Sequence, residues 1–355
     1  MNRTLRYTLA TAAISGAALA TAGAALGASS GSGASFPATA YTKWCQDSGL
    51  CSYSSKGSTG GINDLINGVV DWAATDAPFT AEQQASLAAR RGGAKPVYFP
   101  TLIGAITVPT NISGVSRGIN FDGTTLADVF SGKINSWNNA RIRKANPGVR
   151  FPTAPITLCV RSDGSGTSFG FTSYLSKMSK AFRSTVGASQ QPNWPTSGIT
   201  VVKAPRNPGV AQCIKGNENS VGYVDISDAR DAGLTKNFSK IGKSEVVKRK
   251  RVTKYILPSA GASSKAANLK TFKKDLTISL TGSPAKGAYP ITITTWVVTY
   301  SNYAAAGKAG AVGDVKKVLN YFYSPAAQKQ LTALRFAPLP PALVTVAKNQ
   351  LKTVR

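Results

Sequence analysis

Residues 156–178, I-T-L-C-V-R-S-D-G-S-G-T-S-F-G-F-T-S-Y-L-S-K-M, contain the pattern from which we predict the fold. The short apolar run over 156–160 predicts a buried strand, because β-prone residues follow one another there. Beyond residue 170, apolar side chains recur at helical spacing, which predicts a helix. Glycine, serine and threonine fill the bend between them, next to Arg161. We therefore predict a strand, a tight bend and a helix that begins among hydroxyl groups.

This bend combines the residue types that bind a small anion. The first amides of a helix have no partner inside the helix, and the helix dipole adds partial positive charge there. Glycines let the backbone approach a ligand closely, and Arg161 adds a planar charged group that matches oxyanions. The alternative is an ordinary Ser/Thr helix cap, with Arg161 paired to Asp163 for local structure only. The bend alone leaves both interpretations open.

Length and charge restrict the class of protein. A chain of 355 residues has room for two lobes, each with its own core. It contains 42 Lys and Arg against 15 Asp and Glu, a formal net charge of +27, which favours polyanions, anionic surfaces or small anions. The densest basic run, 243–254, comes without zinc-ligand spacing, a basic zipper or an aromatic RNA-binding motif. We expect a solvated basic face and no dedicated nucleic-acid site.

The counts of histidine and cysteine exclude several chemistries. Histidine is absent, which excludes Ser-His and Cys-His catalysis and removes the commonest metal ligand, so we expect no catalytic residue, metal or cofactor. The four cysteines fit no zinc or redox spacing, and an even number in an exported chain suggests two disulfides. Cys45 with Cys51 would close a small loop and leave Cys159 with Cys213. Two other connectivities remain open.

The N-terminus predicts export. In residues 1–28, Arg3 and Arg6 precede a run of Ala, Leu and Thr that ends in small residues, as in a cleaved signal peptide. The alternative is an uncleaved membrane anchor, but Ala and Thr make this run only weakly apolar. No cysteine lies near the cleavage region, so a lipid anchor is not expected. We expect a periplasmic or secreted mature chain.

Two further helix N-termini and one turn have similar chemistry. Ser35 stands just before Pro37, a combination typical of a helix start, with the hydroxyl at or near the cap. Ser58 follows a glycine and precedes apolar residues at helical spacing. The run 70–78 predicts a short strand that ends at Asp76, which by itself is a commonplace turn aspartate.

Six segments in one order carry a family resemblance. They are G-S-G-A-S-F-P (31–37), Y-T-K-W (41–44), G-S-T-G-G (57–61), D-W-A-A-T-D-A-P (71–78), L-A-D-V-F-S-G-K-I-N-S-W (126–137) and R-S-D-G-S-G-T-S-F-G-F-T-S-Y-L (161–175). Together they resemble the periplasmic phosphate-binding proteins of Pst-type ABC importers. S-V-G-Y-V-D (220–225) and P-I-T-I-T-T (290–295) extend the likeness over most of the mature chain, whereas 187–288 fits the family poorly.

The resemblance implies an α/β fold, the two-lobed periplasmic binding protein of type II, with the ligand cleft between the lobes. The implied division is a signal peptide over 1–28, lobe I over 29–102 and again over 289–355, and lobe II over 103–288. The family positions that bind inorganic phosphate correspond to Ser35, Phe36, Ser58, Asp76, Arg161, Ser165, Gly166 and Thr167. Asp76 corresponds to the carboxylate that accepts a proton from phosphate, and Asp163 to the one that steadies the arginine.

The implied partners are the permease subunits of an ABC importer, with its cytoplasmic ATPase, and the implied state is a monomer without catalytic activity. One alternative is a secreted phosphate scavenger whose basic face binds anionic envelope polymers. Another is a phosphatase-like protein with Ser58 or Ser165 as nucleophile. Such a serine needs a base or a metal, and the sequence offers neither a histidine nor a cluster of acidic ligands.

Overall fold

The computed structural model of the protein describes residues 28–355 apart from Lys248 and Lys270, and of Arg251 it describes the backbone only. The predicted signal peptide therefore falls almost entirely outside the described residues. Within the described part of the chain, no helix is long and apolar enough to cross a membrane.

Strands and helices alternate along most of the described chain. The strands are β1 (Ser29–Gly33), β2 (Cys51–Ser55), β3 (Trp72–Thr75), β4 (Pro96–Thr107), β5 (Thr110–Asn111), β6 (Asn120–Phe121), β7 (Thr157–Arg161), β8 (Thr200–Ala204), β9 (Ser220–Gly222), β10 (Val224–Asp225), β11 (Lys240–Val247), β12 (Lys250–Ile256) and β13 (Thr292–Tyr300). The helices are α1 (Ala38–Ser48), α2 (Ser58–Asn67), α3 (Ala81–Arg90), α4 (Gly123–Phe130), α5 (Ala140–Ala145), α6 (Gly166–Met178), α7 (Lys180–Thr185), α8 (Arg206–Gly216), α9 (Ile226–Asp231), α10 (Ala260–Ala266), α11 (Val312–Phe322), α12 (Pro325–Gln330) and α13 (Pro341–Leu351).

The larger sheet has six strands in the order β10-β4-β13-β3-β1-β2. Its β1 pairs in parallel with β2 and with β3, whereas β13 pairs antiparallel with β3 and β4. All nine residues of β13 are buried, as are all but the first two of β4. Such continuous burial on both faces explains why the sequence of these strands is apolar without alternation.

A second sheet has the order β5-β9-β7-β8, with β7 parallel to both β8 and β9. The chain leaves the first sheet after β4 and enters the second at β5, then returns at β10, which pairs with β4. A third, three-stranded sheet joins β6 to the hairpin of β11 and β12. The lobe boundaries at residues 102 and 288 stay predictions.

Each of the two larger sheets packs on its own aromatic cluster. Beside the first sheet, the rings of Tyr41 and Trp44 on α1 contact Phe322 on α11, with ring centroids 5.1 and 4.8 Å apart. Beside the second, Phe171 on α6 stacks on Tyr223 at 4.5 Å. Large buried rings contribute much of the apolar area of such cores, and both groups of rings belong to one continuous buried cluster.

Helix ends differ from the sequence pattern in two places. The predicted helix that runs past Phe171 is two helices, because Ser179 adopts an extended conformation and its side chain accepts the Phe182 amide. Val69 continues the apolar spacing of α2 but is 60% exposed. The helix has already ended at Gly68, whose φ of 70° is the left-handed conformation that terminates helices.

The four cysteines form the disulfides Cys45–Cys51 and Cys159–Cys213. This confirms the first of the three possible connectivities. The second bridge joins β7 to α8, so it links a strand of the second sheet to the helix that follows β8.

Removal of the two bridges should have unequal effects on stability. The bridges separate their cysteines by 6 and 54 residues, and the entropy model gives about 2 kcal/mol for the short loop and about 4 kcal/mol for the long one. We expect Cys159→Ala/Cys213→Ala to lower the free energy of unfolding more than Cys45→Ala/Cys51→Ala, as measured by urea denaturation. Equal losses, or the reverse order, would contradict this prediction.

Candidate functional site

The candidate site lies where the carboxyl ends of parallel strands from two sheets meet. In the first sheet, β1, β2 and β3 are parallel neighbours, and the chain just beyond them carries Ser35, Ser58 and Asp76 respectively. In the second sheet, β7 ends at Arg161 and the parallel β8 leads directly into α8. The carboxyl ends of parallel strands are the usual ligand-binding edge of an α/β sheet.

The N-terminus of α6 is built as the sequence predicts. Ser165 is the N-cap residue, and its hydroxyl accepts the amide of Ser168 at 3.1 Å. Gly166 and Thr167 form the first turn, and both are buried. Their amides belong to the group that a helix leaves without internal partners, so this turn presents backbone donors inside a dry cleft.

Direct contacts join the two sides of the cleft. The Ser58 hydroxyl accepts the Gly166 amide at 3.0 Å and the Asp76 amide at 3.3 Å. A Cβ on Gly166 would lie 2.6 Å from both the Asp76 Cβ and the Ser58 Oγ, so only glycine permits this approach. Nearby, the Thr59 amide donates to the Gly164 carbonyl at 3.1 Å. The structure is therefore closed at this point.

Arg161 is the charged centre of the site, with 1% of its side chain exposed. Its Nε donates to Asp163 Oδ1 at 2.8 Å, one terminal nitrogen pairs with Asp163 Oδ2, and the other donates to Asn207 Oδ1 at 2.8 Å. A guanidinium has five N–H groups, so it keeps two donors beyond these three bonds. Burial acts to raise the pKa of Asp163, but the bonds and charge of Arg161 outweigh it and hold that pKa below its ordinary value.

The sequence did not indicate Asn207, which connects the largest number of site residues. Its Nδ2 donates to Asp225 Oδ2 at 2.8 Å and lies 3.4 Å from Thr167 Oγ1, while its Oδ1 accepts from Arg161. Its backbone amide donates across the cleft to Ser35 Oγ at 3.2 Å. A usable signal existed, because Asn207 is the third residue after β8 and so lies at the carboxyl end of a parallel strand.

Ser35 has a different local role from the predicted one. The N-cap residue of α1 is Pro37, which has no side-chain cap bond, so the hydroxyl of Ser35 is free to accept the amide of Asn207. The Phe36 ring is buried and contacts Phe336 edge-on, with centroids 5.6 Å apart. The ring thus anchors the start of α1 in the core of the first sheet.

Asp76 is the one acidic group of the site without a partner. It is 3% exposed, and neither carboxylate oxygen has a hydrogen-bond donor in bonding geometry. Burial raises its pKa from 3.8 to about 7, although the hydroxyls of Thr295 and Thr167 and the charge of Arg161 act in the opposite direction. A buried carboxyl group with free oxygens can accept a hydrogen bond from a protonated ligand.

A cavity of about 210 Å³ adjoins Asp76. Its wall follows α6 from Phe169 to Lys177, which is about 12 Å along the helix axis. Lys273, from the segment between α10 and β13, also lines it. The Lys177 ammonium donates to the Thr281 carbonyl at 2.6 Å, and burial lowers its pKa. The cavity thus joins the buried site to a region with two lysines.

Comparison with known proteins gives a consistent result. A family model described as a PBP superfamily domain matches residues 15–326. The phosphate-binding protein PstS of Xylella fastidiosa is 31% identical over 323 residues, which cover 89% of this chain and 82% of the relative. PstS of Haemophilus influenzae is 30% identical over 335 residues, with 91% and 92% covered.

Among solved structures, the chain is similar to PfluDING, a high-affinity periplasmic phosphate-binding protein bound with phosphate. The two share a TM-score of 0.72 and 22% identity, with 90% of this chain and 92% of the other covered. At this identity the likeness establishes the fold alone.

The raised pKa of Asp76 predicts a pH-dependent stability. Between about pH 4 and pH 7 the folded protein holds a proton that the unfolded chain releases, so this contribution to stability is full below pH 4 and is lost as pH rises to 7. The slope approaches about 1.4 kcal/mol per pH unit. We expect Asp76→Asn to gain stability relative to wild type across this window, measured by urea denaturation in phosphate-free buffer. A constant difference between the two proteins would contradict the assignment.

Proposed function

The chain belongs to the PBP superfamily and, within it, to the family of PstS phosphate-binding proteins, and from this premise we propose that its cleft binds inorganic phosphate for an ABC importer. Its fold is the two-lobed α/β periplasmic binding protein that the sequence predicts. The observation that carries the proposal is a single buried cluster in which backbone amides, hydroxyls, one guanidinium and one unpartnered carboxyl group come together from both sheets.

The residues of this cluster have complementary roles in the proposal. Arg161 supplies the positive charge and two spare donors, and Thr167 supplies an amide in the first turn of α6. Gly166, whose own amide donates to Ser58 Oγ, permits the close approach of the two sides around the ligand. Ser35 and Ser58 add hydroxyls from the opposite side. Such fixed donors in a water-free cleft replace the hydration shell of an oxyanion. In the same proposal, Phe36 contributes its backbone amide, and Ser165 caps α6 and contributes its hydroxyl.

The contacts across the cleft support a closing mechanism. The Ser58 hydroxyl accepts the Gly166 amide, and the Ser35 hydroxyl accepts the Asn207 amide. Hydrogen bonds therefore already join the two sides in the closed form. A ligand that contacts both sides stabilises this form relative to an open one. In the proposal, the permease of the importer recognises the closed form in the periplasm, and no bond of the ligand is broken.

A phosphatase-like role has less support. Ser58 and Ser165 are the hydroxyls that a hydrolase would use as nucleophiles, but each already accepts backbone amides, as in a binding site or a helix cap. A nucleophilic serine needs an adjacent base. Neither carboxylate oxygen of Asp76 accepts a hydrogen bond from Ser58 or Ser165, and Asp163 is occupied by Arg161.

Arg161 should be essential for binding. We expect Arg161→Met to abolish measurable phosphate binding in calorimetry, since the variant loses the charge and the spare donors, and Arg161→Lys to weaken binding by about a hundredfold because the planar fork is lost. The matched control is Arg141→Met, which removes an arginine paired with Asp128 on the surface. Near-native affinity in a folded Arg161→Lys protein would count against the site, as would a comparable loss in Arg141→Met.

Asp76 should set the choice between oxyanions. Phosphate near neutral pH carries a proton that Asp76 can accept, whereas sulfate has none and its oxygens would face a partnerless carboxylate in a dry cleft. We expect wild type to show no sulfate binding, and Asp76→Asn to bind sulfate at least about tenfold more tightly, because an amide can donate. Arsenate should bind both forms.

The control for this experiment is Asp128→Asn, which removes a surface carboxylate paired with Arg141. All three proteins are titrated by calorimetry at one pH above the Asp76 pKa of about 7, so that this carboxyl group is ionised in the wild type. If wild type and Asp76→Asn reject sulfate equally, Asp76 only closes a turn after β3 and takes no part in selectivity.

A further inference from the structure

Two adjacent cavities open on a part of the surface that includes no residue of the phosphate cluster. Their volumes are about 440 and 450 Å³. They share Thr235, Phe238 and Leu257 in their walls, so they adjoin one another, and we call the pair the basic double cavity. It lies at the base of the β11–β12 hairpin, in the region where the chain departs most from the family pattern.

The charge of the basic double cavity is of one sign. Arg117, Lys236 and Lys240 line its first half, and Arg230 and Arg335 line the second, while neither half has an Asp or Glu in its wall. Arg230 pairs with its exposed neighbour Asp231 at 2.8 Å. The other four cations have no ion-pair partner among residues 28–355 other than 248 and 270, and all four are exposed.

Backbone hydrogen bonds hold the three cations of the first half on neighbouring segments. The Gly118 amide donates to the Lys236 carbonyl at 2.8 Å, and the Lys240 amide donates to the Ile119 carbonyl at 2.8 Å. A Cβ on Gly118 would lie 1.9 Å from the Phe238 carbonyl oxygen, so the two segments are in close contact. Like charges on adjacent strands repel one another, and an anion that bridges them removes that repulsion.

From this geometry we propose that the basic double cavity binds linear inorganic polyphosphate. Two adjoining cavities whose walls both carry cations and no acidic residue match a chain that carries charge on every unit. The aromatic residue of its wall, Phe238, is buried and offers no face for stacking a base. Leu257, 49% exposed, is its one large exposed apolar side chain, which is too little for insertion into a membrane.

The test uses two triple variants that remove equal charge. Arg117→Gln/Lys236→Gln/Lys240→Gln neutralises the first half of the cavity. The matched control is Lys316→Gln/Lys348→Gln/Lys352→Gln, because these three lysines line a separate cavity of about 610 Å³ formed by α11 and α13. Binding of a labelled short linear polyphosphate is measured by fluorescence anisotropy at several salt concentrations. Orthophosphate is present throughout at a level that saturates the cleft.

We expect the cavity variant to lose about tenfold or more in polyphosphate affinity at ~0.1 M salt, and the slope of log K against log salt to fall by about 2, as three lost phosphate contacts require. The control variant should keep the wild-type affinity within about threefold. Equal losses in both variants would overturn the proposal, because the net charge alone would then account for binding.

Two further measurements complete the test. Arg117→Lys keeps the positive charge at this position, so it should retain most of the polyphosphate affinity. Complete loss of that affinity in a folded Arg117→Lys protein would contradict the proposal. Duplex DNA and anionic vesicles, titrated in parallel, should bind more weakly and respond equally to both triple variants. If either binds as tightly as polyphosphate and loses affinity only in the cavity variant, the assigned partner is wrong. Calorimetry with orthophosphate on the same variants measures binding in the cleft separately. A loss of phosphate binding in the cleft can therefore be distinguished from a loss of polyphosphate binding at the cavity.

Discussion

A buried, permanently charged guanidinium is the constraint on which the site depends. Arg161 has almost no contact with water, and a buried charge without partners costs several kcal/mol. Asp163 and Asn207 are therefore required, and each is fixed in turn: Asp163 accepts the Arg206 amide, and Asn207 donates to Asp225. The partners of this one charge thus include residues that follow β7 and β8 and, through Asn207, the last residue of β10.

The partners of Arg161 also contact residues beyond the strands of the first sheet. Gly57 has a φ of 84°, and a Cβ at this position would lie 2.1 Å from Asp163 Oδ2, so no other residue fits there. Ser35 and Ser58 then accept amides of Asn207 and Gly166. Because these bonds run between backbone amides and short side chains, they demand close approach of the two sides, and glycine at 57 and 166 permits it. In our proposal, closure of the cleft and recognition of phosphate therefore use the same residues.

Much of this arrangement could be predicted from the sequence. The strand before Arg161 and the helix start at Ser165 follow from local pattern and propensity, as do the buried strands β4 and β13. The family resemblance then supplied a role for each residue around the bend. Local pattern is sufficient there because the site is made of strand ends and helix starts, which have short-range signals.

Long-range partners could not be predicted in this way. Asn207 lies 46 residues from Arg161 and 172 from Ser35, and its importance exists only in the folded chain. The hairpin of β11 and β12 escaped prediction for another reason. Its strands carry polar or charged residues on both faces, so neither the alternation of a half-buried strand nor the apolar run of a buried one is present.

The high net charge of the chain and the charge inside the cleft are separate matters. Around Arg161 the acidic groups are Asp76, Asp163 and Asp225, so the neighbourhood is not itself an excess of positive charge. Burial raises the pKa of Asp76 and of Asp225, so it favours their neutral forms and reduces the negative charge of the cleft without making the cleft cationic. In our proposal, an anion there is held by Arg161 together with oriented amides and hydroxyls, whose effect is short-ranged and large where water is excluded. The surface cations act over longer distances and are screened by salt, so they influence how often anions and polyanions meet the protein and have little part in which oxyanion the cleft retains.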